Sequence, residues 1–194
     1  MADNRNDNIN DNMNTSKDLL LSSINCFYKG NDKYKLILKD IIEGKHELSL
    51  RMIDWLVTRY AKNNNIIYWI SDVDDKIYHN LPDNYSSEKF KKITLYLDYR
   101  AQLKSFKKFN FDAFRRHERI NFNITETEEI ETTVGQLNFF KWAFNNKIIT
   151  YAIENQKKIY ENMSKFSYKK QNSIKNSLIP KQDIINTKCF IVFD

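Results

Sequence analysis

Hydrophobic positions recur along this chain at two spacings, and each spacing predicts a kind of element. Leu19, Leu20, Leu21, Ile24 and Phe27 suit a short helix or docking arm over 18–27. Gly30-Asn31-Asp32 predicts a turn. Tyr34, Leu36, Ile37, Ile41 and Ile42 then fall near the 3.6-residue period, with Gly44 placed to close that helix. Between 47 and 62, Leu50, Ile53, Leu56, Val57 and Tyr60 make one apolar face, which Met52 and Trp55 widen, and Ser49 stands where an N-cap belongs. A face that wide predicts burial on more than one side, and so a core position for Trp55.

The β-branched and aromatic run IIYWI at 66–70 predicts a strand. Residues 71–87, with Asp72, Asp74, Asp75, Pro82 and Asp83, read as loop. Helical spacing returns at Leu95, Leu97, Tyr99 and Leu103, predicting a helix over 95–106. A strict alternation follows, Ile120, Phe122 and Ile124 against Arg119, Asn121 and Asn123. Residues 125–129 turn it into a second strand over 130–134, a β-hairpin. Thr132 or Thr133 caps a helix over 135–145 with Leu137, Phe140, Ala143 and Phe144 on one face and Phe139 and Trp142 flanking, so Trp142 is a second expected core residue. Past Asn145-Asn146, Ile149, Ala152, Ile153, Tyr160 and Met163 predict an amphipathic helix over 148–163. Residues 164–188 read as a basic linker or tail, and the apolar ending at 189–194 as a terminal strand on a sheet edge. The fold class expected is α+β: one mostly helical domain over 17–163 with a small antiparallel sheet or hairpin.

Composition narrows the picture. The chain has 194 residues, a length for one domain with a core that needs no disulfides. Its 24 Asn, 24 Lys and 23 Ile all have AT-rich codons, so codon bias accounts for much of the skew. Three Gly and two Pro exclude collagen and Gly-rich phosphate loops. Cys26 and Cys189 have no partner spacing, which excludes a disulfide scaffold and a Cys-based zinc site and predicts a reducing compartment. Residues 1–16, almost without large apolar groups, are expected to be a disordered tail and not a signal or transit peptide. With no apolar stretch near 18 residues, a soluble protein away from membranes is expected.

Charge changes the picture most. The chain carries 31 Lys and Arg against 25 Asp and Glu, a formal charge of +6. Residues 91–120 alone hold nine Lys and Arg against three Asp and Glu, which equals the excess of the whole chain. These cations alternate with Phe106, Phe109, Phe111 and Phe114. Basic groups neutralise phosphates and aromatic rings stack on bases, so the pattern points to nucleic acid. The candidate phosphate contacts are Arg100, Lys104, Lys107, Lys108, Arg115, Arg116 and Arg119, with Phe109 and Phe111 as candidate stacking residues and Phe114 as a core anchor. The same pattern fits a solvated face whose Phe residues pin a loop. A second basic run, 157–181, is richer in Lys and poorer in aromatics.

Catalytic chemistry finds no footing in the sequence. His46, His79 and His117 lack a His or Cys at metal-ligand spacing. Asp72-Val73-Asp74-Asp75 resembles half a calcium loop without its Gly and final Glu. No GxSxG, P-loop or GxGxxG occurs. A non-enzymatic protein without metal or cofactor is expected, binding nucleic acid with DNA favoured over RNA. The alternative is a structural or assembly protein that uses the acidic run TETEEIE at 125–131 and the apolar ending as contact surfaces.

Three segments, LSLRMIDWLVTRYAKNNN at 48–65, FDAFRRHERINF at 111–122 and ETTVGQLNFFKWAF at 131–144, resemble an uncharacterised protein family of nucleocytoplasmic large DNA viruses, the mimivirus-like and algal giant viruses. The likeness runs from about Lys33 to Tyr160. That family often has Pro-Phe-Arg-Arg-Arg where this chain has Ala113-Phe114-Arg115-Arg116-His117. The resemblance names no activity. It implies a giant-virus protein made in the host cytoplasm, at the viral factory or packaged in the virion; together with the basic patch, the role expected is nucleic-acid binding in genome packaging or late transcription, and the alternative is virion assembly.

Overall fold

The computed structural model describes residues 6–83, 85–114 and 118–177, with side chains described between 17 and 166. In chain order the elements are α1 (Asn6–Tyr28), α2 (Asp32–Ile42), α3 (Leu50–Trp55), a π-helical turn (Leu56–Tyr60) and α4 (Ala61–Asn64). Strands β1 (Ile67–Ser71), β2 (Ile77–Tyr78) and β3 (Phe90–Thr94) follow, then α5 (Leu95–Phe106) and a 3-10 turn (Lys108–Asn110). The hairpin β4 (Ile120–Asn123) and β5 (Glu129–Thr132) leads into α6 (Val134–Asn145), α7 (Ile148–Glu154) and α8 (Gln156–Ser177). The fold is α+β, helical for the most part, with two small antiparallel sheets.

Helix α6 organises the core. Nine of its residues are buried, among them Leu137, Phe139, Phe140 and Trp142. A helix apolar on all sides has to be covered on all sides. Tyr28 of α1 donates its hydroxyl hydrogen to the Leu137 carbonyl at 3.2 Å, tying α1 to α6. Tyr68 of β1 donates to the Asn146 carbonyl at 2.7 Å and stacks on Tyr151 of α7, tying the sheet to the corner after α6. The Thr133 side chain caps α6 by accepting from the Gln136 N–H, and Ser49 caps α3 in the same way from Met52.

The larger sheet has the order β2-β1-β3, with Tyr68 opposite Ile93 and Trp69 opposite Lys92. Tyr68, Ile70 and Ile93 turn to the core. The hairpin pairs Phe122 with Ile130, and Phe122 and Ile124 are buried while Arg119, Asn121 and Asn123 face solvent, as the alternation predicts.

Several expectations are corrected. Strand β3 was not expected, because Phe90 and Ile93 break the period-two pattern and Lys91-Lys92 lies between them. The stretch read as loop contains β2. The helix expected over 148–163 is two helices, since the Asn155 side chain donates back to the Tyr151 carbonyl and ends α7 there. Trp55 is only partly buried. Its indole N–H donates to Asn162 Oδ1 at 3.0 Å and its ring packs on Phe166, so it joins α3 to α8 at the rim of the core. Outside these corrections, the described backbone is helical from Asn6 and as far as Ser177, which leaves the N-terminal tail and the basic linker as expectations. The terminal strand expected at 189–194 lies outside the described residues.

Candidate nucleic-acid interface

Helix α5 runs Leu95–Phe106, as its apolar spacing predicts, and presents different residues to two clefts. Asp98, Ala101, Gln102 and Ser105 line one; Tyr96, Tyr99, Arg100 and Leu103 line the other. The first is a groove of about 1010 Å³ shared by α1, β3, α5, the 3-10 turn and α6. Lys17, Lys91, Lys92, Lys107 and Lys141 line it against Asp98, whose carboxylate accepts from the Thr94 N–H at 2.8 Å. Its floor includes Ile93, Phe106 and Trp142.

These lysines differ in how they are held. Lys17 pairs with Glu118 at 3.0 Å. Lys141 donates to the hydroxyl and carbonyl of Ser23 and has its ammonium 6.0 Å from the Phe27 ring. Lys91, Lys92 and Lys107 are exposed and have no carboxylate partner among the described residues. Lys107 sits at φ 60° and ψ 158°, a region that belongs to glycine, directly after α5. Phe109, two residues on, lines the same groove and is 50% exposed.

The second cleft, about 650 Å³, holds Arg59, Lys62, Arg100 and Lys108 around Asp54 and Asp112. The Arg59 guanidinium lies 4.8 Å from the Phe166 ring and 5.5 Å from that of Trp55, and Lys62 lies 5.8 Å from the Tyr96 ring. Burial raises the carboxyl pKa of Asp54, with the Asp112 charge adding to it and Arg59 opposing. Burial likewise keeps the Tyr99 phenol neutral far beyond its usual range. Among the described residues, no cluster of His, Cys, Asp and Glu could hold a metal ion.

The predicted cations therefore do not share one face. Lys107 lines the groove, Arg100 and Lys108 the second cleft, and Lys104 is exposed on α5. Arg119 lines a third cleft and pairs with Glu131 at 3.2 Å. Arg115 and Arg116 lie outside the described residues. Phe109 keeps the exposure that stacking needs, whereas Phe111 does not. Phe111 is fully buried between Phe106, Phe139 and Trp142, so it is a core residue. Phe114 packs on Phe139, as an anchor would.

Lys17 and Lys141 were invisible as site residues, since they come from segments more than a hundred residues apart and only the fold joins them. The acidic tip is engaged within the chain. Glu128 is bonded to Lys39, Glu129 to the Asn121 amide and Glu131 to Arg119.

Residues 1–188 match the model of a family of unknown function, DUF7197, and the chain belongs to that family. It is similar to the uncharacterized protein L507 of Acanthamoeba polyphaga mimivirus, with 32% identity over 166 residues. That alignment takes in 83% of this chain and 58% of the relative, so the chain spans less than two thirds of the relative's length. The giant-virus kinship implied by the three sequence segments is borne out. No solved structure matches the chain.

Proposed function

We propose that this protein is a non-enzymatic nucleic-acid-binding protein that holds the phosphate backbone along the groove between α1, β3, α5 and α6. The observation that carries the reading is the set Lys91, Lys92 and Lys107, exposed around one concavity with no carboxylate partner among the described residues. Unpaired lysines can neutralise phosphates, and release of the cations condensed on the polyanion then drives association. The strained backbone at Lys107 supports the same reading, because a lysine held where glycine fits better points to a role for its side chain. The giant-virus kinship suits a protein at work in an infected host cell, and genome packaging or late transcription, in the host cytoplasm or the virion, is the setting we propose.

The test is a binding titration on labelled DNA at several salt concentrations, with circular dichroism as the folding control. The triple variant Lys91→Glu, Lys92→Glu, Lys107→Glu is expected to lose at least about tenfold in affinity. Its salt slope on duplex should fall by about 0.9 for each contact removed. Arg119→Glu, which breaks a pair made within the chain, should bind within about twofold of the wild type. Equal affinity and equal slope for the wild type and the triple variant would end this reading of the groove.

A further inference from the structure

The groove has features that a backbone-only site would not need. Asn138 and Asn146 line it, and both are more than nine-tenths buried. Each spends its amide N–H inward: Asn138 Nδ2 donates to the Asn110 carbonyl at 2.9 Å, and Asn146 Nδ2 donates to the Trp142 carbonyl at 2.7 Å. Neither Oδ1 receives a hydrogen bond from any described residue, and neither is sealed from the groove. Each oxygen is therefore left to accept from water or from a ligand that displaces water in the groove. The side chains of Gln102 and Asn145, also in the groove, have no partner among the described residues.

Resting on the phosphate-binding reading above, we infer that the groove takes single-stranded polynucleotide and receives its bases as well as its phosphates. The chemistry divides by depth. Lysines at the margin suit phosphates, the apolar floor of Ile93, Phe106 and Trp142 suits the flat face of a base, and the amide oxygens of Asn138 and Asn146 suit the N–H groups of a base edge. Adenine, cytosine, guanine and thymine or uracil each carry an N–H on the Watson–Crick edge. In a duplex that edge is occupied by the partner base. Only an unpaired base can bring it to the two buried acceptors. A groove of about 1010 Å³ also matches the upper range of ligand pockets, roughly 300–1,000 Å³, so it encloses part of its ligand instead of lying flat against a double helix.

The experiment is fluorescence anisotropy on the full chain with labelled 12-residue probes of mixed sequence: single-stranded DNA, single-stranded RNA and the corresponding duplex DNA, each at several salt concentrations. The single strands should bind at least about tenfold tighter than the duplex. The DNA and RNA arms show which sugar the groove accepts, and tight binding of either strand supports the inference. Gln102→Ala with Asn145→Ala, which keeps the buried amides and so the fold, should weaken single-strand binding about fivefold at unchanged salt slope. Asn138→Leu should weaken it further where circular dichroism shows a folded chain. Lys91→Glu with Lys92→Glu should instead lower the single-strand slope by about 0.7 per contact. A duplex bound as tightly as the single strands, or amide variants that bind like wild type, overturns this inference while leaving the phosphate-binding reading in place. Failure of all three probes overturns both.

Discussion

Lys107 stands at φ 60° and ψ 158°, where a side chain strains the backbone by about 1–3 kcal/mol. Lys107→Gly removes that strain, against a loss of about 0.4–1 kcal/mol from the greater freedom of the unfolded chain. The variant should therefore unfold at a higher denaturant concentration, by about 1 kcal/mol, while binding DNA more weakly with a salt slope lowered by about one contact. A variant both less stable and equally tight in binding would show that the conformation carries no functional cost. Gly135 makes the opposite demand. A Cβ there would lie 3.1 Å from the Asp112 carbonyl oxygen and 3.2 Å from that of Phe109. That backbone cannot retreat easily, since Phe111 is locked in the core and the Asn110 carbonyl is held by Asn138. Gly135→Ala gains up to about 1 kcal/mol of helix propensity but overpacks by about 1–3 kcal/mol. A net destabilisation of about 1 kcal/mol in denaturant titration is expected, with weaker nucleic-acid binding because Phe109 and Asn110 line the groove.

Trp142 and Trp55 sit on apolar helix faces of similar appearance, yet they hold elements of different rank. Trp142 meets Tyr99, Phe111 and Phe139 in the core, so Trp142→Ala should cost about 3–5 kcal/mol. Trp55 touches Asn162 and Phe166, both on α8. Trp55→Ala should cost less globally and release α8 in particular. Hydrogen exchange should show lost protection over 156–166 with α6 unchanged, and uniform loss across both helices would place Trp55 in the core after all. The difference could not be read from the sequence, because periodicity finds an apolar face but not what covers it. The same limit explains the site. Helix α5, the Ser49 cap, a threonine cap at 132 or 133 and the hairpin itself were legible, since each depends on residues near in sequence. The clustering of cations in 91–120 was also legible, but its division by α5 was not, because adjacent residues on that helix, such as Arg100 and Ala101, look into separate clefts. Lys17 and Lys141 reach the groove only through the packing of α1 on α6. The buried Asn138 and Asn146 lay hidden among twenty-four asparagines that codon bias alone would supply.

Two buried phenols fasten the outer layers of the molecule to α6, and with Tyr99 and Tyr151, whose pKa values burial also raises, they shape its response to alkali. Tyr28 holds α1 and Tyr68 holds the sheet, each through a hydrogen bond that its hydroxyl donates to a backbone carbonyl. Burial raises both pKa values far above the usual phenol range. In the unfolded chain a tyrosine ionises near 10. Below that pH both states keep the proton, and the stabilisation is fully present. Above it the unfolded state loses protons that the folded state retains, so stability must fall as pH rises. The slope is about 1.4 kcal/mol per pH unit for each such phenol. Stability should therefore change little between about pH 7 and 9 and drop steeply beyond about 10. Denaturant titrations at fixed pH, followed by tyrosinate absorbance, check this: the phenolates of the buried tyrosines should appear with unfolding and not before it. Tyr28→Phe removes one of these titrations and should make the alkaline decline shallower. It should also lower stability at neutral pH by about 1 kcal/mol, because the Leu137 carbonyl loses its buried donor. Ionisation of both phenols in the folded protein at pH 10 would contradict this packing of α1 and β1.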